Sequence, residues 1–177
     1  MAAILSLDVA QVEEICAQAR QATGQPVQIA NDNCPGQVVI SGDGGALAEA
    51  LNLAQAAGAR KVVQLPISIA AHSDLMASAA ADFIEAVKAT AIAPPRVPVI
   101  GNVTAQPLRT PEEIWTELEA QLTSPVKWTG SMNYLIQQGV VTFVEVGSGN
   151  ILLGLLKRID RKSKRVKSED FQLLMDE

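Results

Sequence analysis

One histidine and two cysteines are the side chains of this 177-residue chain best suited to proton transfer or nucleophilic attack near neutral pH. His72 lies in Ala71-His72-Ser73-Asp74, at the start of a long Ala-rich helical pattern. As a general base it needs a nucleophile to deprotonate and a group that fixes its tautomer. The chain offers no G-x-S-x-G elbow. Gly147-Ser148-Gly149 is followed by Asn150, and neither Ser41-Gly42 nor Gly130-Ser131 has the flanking glycines. Cys34 precedes Pro35 in turn-like sequence, with no helix N-terminus to lower its pKa. His72 therefore reads in two ways: a structural or surface residue at a helix start, or a base whose partner is not evident in the chain. Cys16, Cys34 and His72 form no C-x-x-C or Cys/His cluster, so no metal site is expected.

Two further constellations are weaker. Val144-Glu145-Val146-Gly147-Ser148-Gly149-Asn150 reads as strand, tight turn and helix start, where backbone N–H groups could meet an anion. Two glycines and no identifiable ribose-binding acid make a poor dinucleotide fingerprint, and packing of a tight turn explains them. Glu112, Glu113, Glu117 and Glu119 are expected as charged positions in the first turns of a helix, placed by its dipole and by solvent.

The elements that would position these residues follow from periodicity. Residues 2–7 read as a strand, with Asp8 as N-cap of a helix carrying Val12, Ile15, Cys16 and Ala19 inward to Gly24. Residues 26–31 and 37–41 read as strands on either side of turn chemistry at 31–36. A helix over 46–57 and a strand over 61–65 complete the order β-α-β-β-α-β, that of a ferredoxin-like lobe. After Pro66 a helix is predicted over 70–90, with Leu75, Met76, Ala79, Phe83 and Val87 inward. A strand follows at 97–103. Thr110-Pro111-Glu112-Glu113 marks a capped helix start. Helices over 126–138 and 151–160 flank a strand at 140–146. This half alternates helix and strand, the pattern of a layered α/β domain with parallel strands, yet two strands are few for a parallel sheet. The expected organisation is a lobe at 1–65, a core portion at 66–160 and a flexible tail at 161–177.

Composition bounds the function classes. Aromatics are 3% and net charge is −5, which disfavours stacking platforms and a general nucleic-acid surface. No stretch has the length of a membrane span, and residues 1–7 lack a basic leader region, so a cytoplasmic setting is expected. Residues 157–177 hold seven cations and five anions. That reads as a solvated terminus, or as a surface for an acidic partner.

Four segments, in order, carry the motifs of one known family. Asn31-Asp32-Asn33-Cys34-Pro35-Gly36-Gln37-Val38-Val39-Ile40-Ser41-Gly42 is similar to the family's N-x-N-S-P-G-Q-x-V-I-x-G. His72-Ser73-Asp74-Leu75-Met76 resembles H-S-x-L-M, and Gln121-Leu122-Thr123-Ser124-Pro125-Val126-Lys127-Trp128 resembles Q-L-x-x-P-V-x-W. Glu145-Val146-Gly147-Ser148-Gly149 resembles E-V-G-P-G.

Together these four segments resemble malonyl-CoA:acyl carrier protein transacylases, and the resemblance implies an α/β-hydrolase-like layered core, here partial, with an inserted ferredoxin-like lobe. It implies a Ser acyl-enzyme formed from malonyl-CoA and discharged onto the phosphopantetheine thiol of acyl carrier protein in fatty-acid biosynthesis, with no cofactor beyond these substrates. His72 would be the base and the Gln121 backbone carbonyl its orienting group. Asn31, Asn33 and Gln37 would line the lobe side of the cleft. The family's Ser elbow and its malonyl-binding Arg motif precede the segment resembling Met1–Leu5, so the chain is expected to be a C-terminal portion, inactive alone, whose partner is the missing N-terminal half. Cys34 replaces Ser, Ser148 replaces Pro, and Ala71 stands where acyl choice varies, leaving malonyl and methylmalonyl both open. A polyketide synthase acyltransferase fragment and a non-catalytic ferredoxin-like module binding acyl carrier protein are the alternatives.

Overall fold

Ala2 and Ile4 alternate with less buried neighbours and form β1 (Ala2–Leu5) in the computed structural model, which describes residues 1–170. Asp8 then closes a capping box. Its Oδ1 accepts from the Gln11 N–H at 2.8 Å and the Gln11 side chain accepts from the Asp8 N–H at 3.0 Å. Helix α1 (Val9–Thr23) follows and ends at Gly24, whose φ of 67° suits a residue without Cβ. Strands β2 (Val27–Cys34) and β3 (Gln37–Gly42), helix α2 (Gly44–Ala56) and β4 (Lys61–Gln64) complete the predicted β-α-β-β-α-β order. The strands pair antiparallel in the order β2-β3-β1-β4, which places β1 between the two halves of the hairpin-and-helix unit.

The core forms where one sheet face meets both helices. Ile4, Val12, Ile15, Cys16, Val27, Val38, Ile40, Leu47 and Ala50 pack there. Each fully buried Val, Leu or Ile contributes about 1.5–3 kcal/mol, so an aromatic-poor core suffices. The other face is not bare, because Val39 and Ser41 on β3 are buried too.

The chain forms two compact units, Met1–Ser131 and Met132–Glu177. The first runs past the expected lobe boundary at residue 65. Within it, the turn predicted at 31–36 shrinks to Pro35-Gly36, because β2 continues to Cys34 with irregularities after Ile29 and Asp32. The strand is held on its outer edge as well: Val126 N–H donates to Ala30 O at 2.8 Å and Asp32 N–H to Val126 O at 2.9 Å. That pairing occupies an edge that would otherwise be open.

The helix predicted over 70–90 begins later. A 3-10 turn at Asp74–Met76 leads into α3 (Ala77–Lys88). Ala80 and Val87 face inward, whereas Leu75 is 45% exposed. The strand predicted at 97–103 is only β5 (Val99–Ile100), antiparallel to β6 (Pro107–Leu108). Helix α4 (Pro111–Gln121) starts with the predicted Thr110–Glu113 capping box. Helix α5 (Trp128–Gln137) starts later than predicted, since Val126 is engaged with β2.

In the second unit, β7 (Thr142–Glu145), α6 (Ile151–Ile159) and β8 (Lys164–Lys167) form a parallel strand pair with an intervening helix. The sequence places 164–167 in a flexible tail; instead they are the parallel partner of β7. Residues 171–177 of that expected tail lie outside the described residues. Asp160 makes the bend into β8. Its carboxylate accepts from the Ser163 hydroxyl, the Lys162 N–H and the Ser163 N–H, and these bonds, the hydroxyl foremost, hold it below the usual carboxylate range. A carboxyl lowered on folding adds stability above its ordinary pKa of about 4 and loses it as pH falls through the folded value. Denaturant titrations are therefore expected to weaken more on acidification below about pH 4 in the wild type than in Asp160→Asn. Parallel pH profiles would show that the bend forms without the charge.

Candidate functional site

His72 is not in a helix. Its φ of 58° is in the left-handed region, which costs a non-glycine residue roughly 1–2 kcal/mol. Such a conformation persists where neighbours over-determine it. The Nδ1 atom lies 2.9 Å from the backbone oxygen of Gln121. A carbonyl oxygen only accepts, so Nδ1 carries the hydrogen and donates. In the neutral ring Nε2 is then the basic atom. Gln121 is the last residue of α4. Its carbonyl is one of those a helix end leaves without an intrahelical partner, and it sits at the negative end of the dipole. Both features suit it to receive an imidazole N–H.

Strand β2 ties the two halves of this pair together. Gln28 Nε2 donates to His72 O at 3.2 Å and to Thr123 O at 3.1 Å, and its Oε1 accepts from the Asp74 N–H at 3.2 Å. Farther along β2, Asp32 accepts from Thr129 Oγ1 at 2.6 Å at the start of α5. From the other side, Asn102 Nδ2 donates to Gln121 Oε1 at 3.4 Å, and Asn102 O accepts from Lys127 N–H at 2.7 Å. The turn bearing Asn102 is itself held by Glu117. This residue is 5% exposed, and its carboxylate accepts from Val103 N–H, Thr104 N–H and Thr104 Oγ1. Glu117 is thus an internal anchor, correcting its reading as a solvated helix charge.

His72 and Gln121, 49 positions apart, are brought into contact. Asn31 and Asn33 lie on the Gln28 strand, and Gln37 opens β3 opposite Cys34. Gln28, Asp32 and Glu117 escape sequence reasoning. Gln28 carries a faint signal as the polar position between buried Val27 and Ile29. Glu117 carries none, because only the fold brings the 103–104 turn to it.

Both thiols and the serine next to His72 are buried. Burial pushes the Cys16 thiol up to about 12, so it holds almost no thiolate at neutral pH. Cys34 is buried at the end of β2. Ser73 is buried and donates its hydroxyl to Ala70 O at 2.7 Å. Among the described residues no hydroxyl or thiol is hydrogen-bonded to His72, no cluster could hold a metal ion, and no helix is long and apolar enough to cross a membrane. At the start of α6, Glu145 accepts from the Leu152 N–H at 3.1 Å and the Leu153 N–H at 2.9 Å. The chain's own carboxylate therefore takes the place an anion would have there.

Known proteins share this arrangement of elements. A malonyl CoA-acyl carrier protein transacylase of Bacillus subtilis (strain 168) is 40% identical over 170 residues, which are 96% of this chain and 53% of that protein. The malonyl CoA-acyl carrier protein transacylase structure from Coxiella burnetii matches with a TM-score of 0.93 at 38% identity, over 99% of this chain and 55% of that one. A type II PKS acyl-carrier protein in complex with its malonyl-transacylase matches with a TM-score of 0.92 at 33% identity, over 98% of this chain and 56% of that one. The chain spans about half the length of the curated relatives it matches. Residues 1–171 match the family described as acyl transferase domain. With the mixed α/β fold and these similarities together, the chain belongs to the acyl transferase domain family.

Proposed function

We propose that this chain supplies the general base of a malonyl-CoA:acyl carrier protein transacylase, and that the serine nucleophile lies on a segment outside these 177 residues. The observation that carries the reading is the Nδ1 bond from His72 to the Gln121 carbonyl at 2.9 Å, which leaves Nε2 as the proton acceptor. In the first half-reaction Nε2 takes the serine proton as the serine oxygen attacks the malonyl thioester carbonyl. The C–S bond breaks, and the imidazolium returns the proton to the departing CoA sulfur. In the second half Nε2 takes the proton of the phosphopantetheine thiol of acyl carrier protein, whose sulfur attacks the malonyl-serine ester. The proton then returns to the serine oxygen, giving ping-pong turnover. Asn31, Asn33 and Gln37 line the lobe side of the cleft in this reading. The reaction calls for no cofactor beyond its two substrates.

A base without its nucleophile forms no acyl-enzyme, so the isolated chain is inactive. Incubation with radiolabelled malonyl-CoA, followed by denaturation and counting, is expected to leave the protein unlabelled. Stoichiometric covalent label would place a nucleophile within this chain and sink the proposal.

A further inference from the structure

We propose that Gln28 is a positioning residue for His72, setting the ring's tautomer from the main chain. Its consequence for acyl transfer rests on the function proposed above; the positioning itself does not. One primary amide serves three backbone groups. The two N–H bonds go to His72 O at 3.2 Å and Thr123 O at 3.1 Å, and the oxygen receives Asp74 N–H at 3.2 Å. The partners fix the amide's orientation, since two carbonyls require donors and one N–H requires an acceptor. Two of these bonds, at the His72 carbonyl and the Asp74 N–H, bracket Ser73 on the C-terminal side of a residue held at φ 58°. The third reaches the stretch immediately after Gln121, whose carbonyl meets Nδ1.

The geometry has a physical logic. His72 and Gln121 belong to segments that approach only through tertiary folding, and Gln28 meets them at turn residues His72 and Thr123 and at the first residue of the 3-10 turn, Asp74. Gln28 is on β2, a strand paired over its length with β3. A side chain on a paired strand that bonds both connections holds the distance between them. Without it, the left-handed conformation at His72 loses two of the bonds that over-determine it. The ring is then released from the Gln121 carbonyl and samples both neutral tautomers.

The test uses the chain as it is. His72 is its sole histidine, so long-range 1H–15N spectra of the ring need no assignment. At a pH where the ring is neutral, the wild type is expected to show a protonated Nδ1 and an unprotonated Nε2. Gln28→Met keeps the side-chain length and loses all three bonds; Gln28→Glu keeps an acceptor and loses both donors. Both are expected to lose the single-tautomer pattern and give averaged nitrogen shifts, with the backbone amide fingerprint otherwise retained. Wild-type ring shifts in either folded variant would overturn the proposal. A measurement on the wild type stands beside these: the Gln28 side-chain amide protons should exchange with solvent more slowly than those of exposed Gln55. Equal exchange would overturn the proposal even if neither variant folds. None of these readouts involves acyl transfer, so failure of the catalytic reading leaves them intact and their failure leaves it standing.

Discussion

Changing His72 to Ala in a completed enzyme is expected to lower kcat/KM for malonyl transfer by about 10²–10⁴-fold, the range that a positioned acid–base group supplies. The completed enzyme is this chain joined to the portion of the Bacillus subtilis transacylase that it does not match. Removing the imidazole leaves the serine hydroxyl with its full proton and the CoA sulfur without a donor. Both deficits fall on chemistry rather than on substrate capture, so kcat should carry most of the loss and KM little. Substitution of Gln121 should do far less, because its backbone carbonyl, not its side chain, meets Nδ1. A His72→Ala protein within a few-fold of the parent would remove the imidazole from the mechanism.

The second large effect is on stability. Glu117→Ala strips three donors, Val103 N–H, Thr104 N–H and Thr104 Oγ1, of one buried acceptor group. An unmade buried hydrogen bond costs about 1–3 kcal/mol. A total near 3 kcal/mol would lower the midpoint of thermal unfolding by roughly 6–12 °C in a chain of this size. Gly101 adds to the constraint: a Cβ there would collide with the Glu117 carboxylate, so the turn and the carboxylate fit only as a pair. Glu117→Gln keeps one acceptor and should lose about half as much. The damage should spread to the site, because the same turn carries Asn102, which bonds both Gln121 and Lys127. An unshifted midpoint in Glu117→Ala, measured by circular dichroism, would show that these donors find other partners at no cost.

The order of elements over residues 2–64 was legible because its signals are local. Asp8 and Gln11 cap α1, Gly24 ends it, and the β-branched run of β3 alternates between two buried faces. The capping box at Thr110 was legible for the same reason. What the sequence concealed is non-local. Asn31-Asp32-Asn33 has turn chemistry, yet pairing with β3 on one edge and Val126 on the other keeps it extended. The Ala-rich pattern after Ala70 suggested continuous helix, but Gln28 holds His72 and Asp74 in a bend. Lys164–Lys167 looked like a solvated tail because its charges hide a strand whose partner is β7. At the site, proximity of His72 and Gln121 followed only from the family resemblance; nothing in their spacing encodes it.

If His72 is the base for a serine outside this chain, its imidazole sets the rate at which malonyl-enzyme forms. Rapid-quench measurement in the completed protein, with labelled malonyl-CoA and no acyl carrier protein, reads that rate. A fast burst of about one label per protein is expected on the serine of the added portion, slowed about 10²–10⁴-fold by His72→Ala. A burst of the same rate in His72→Ala, or label on a residue of this chain, would contradict it.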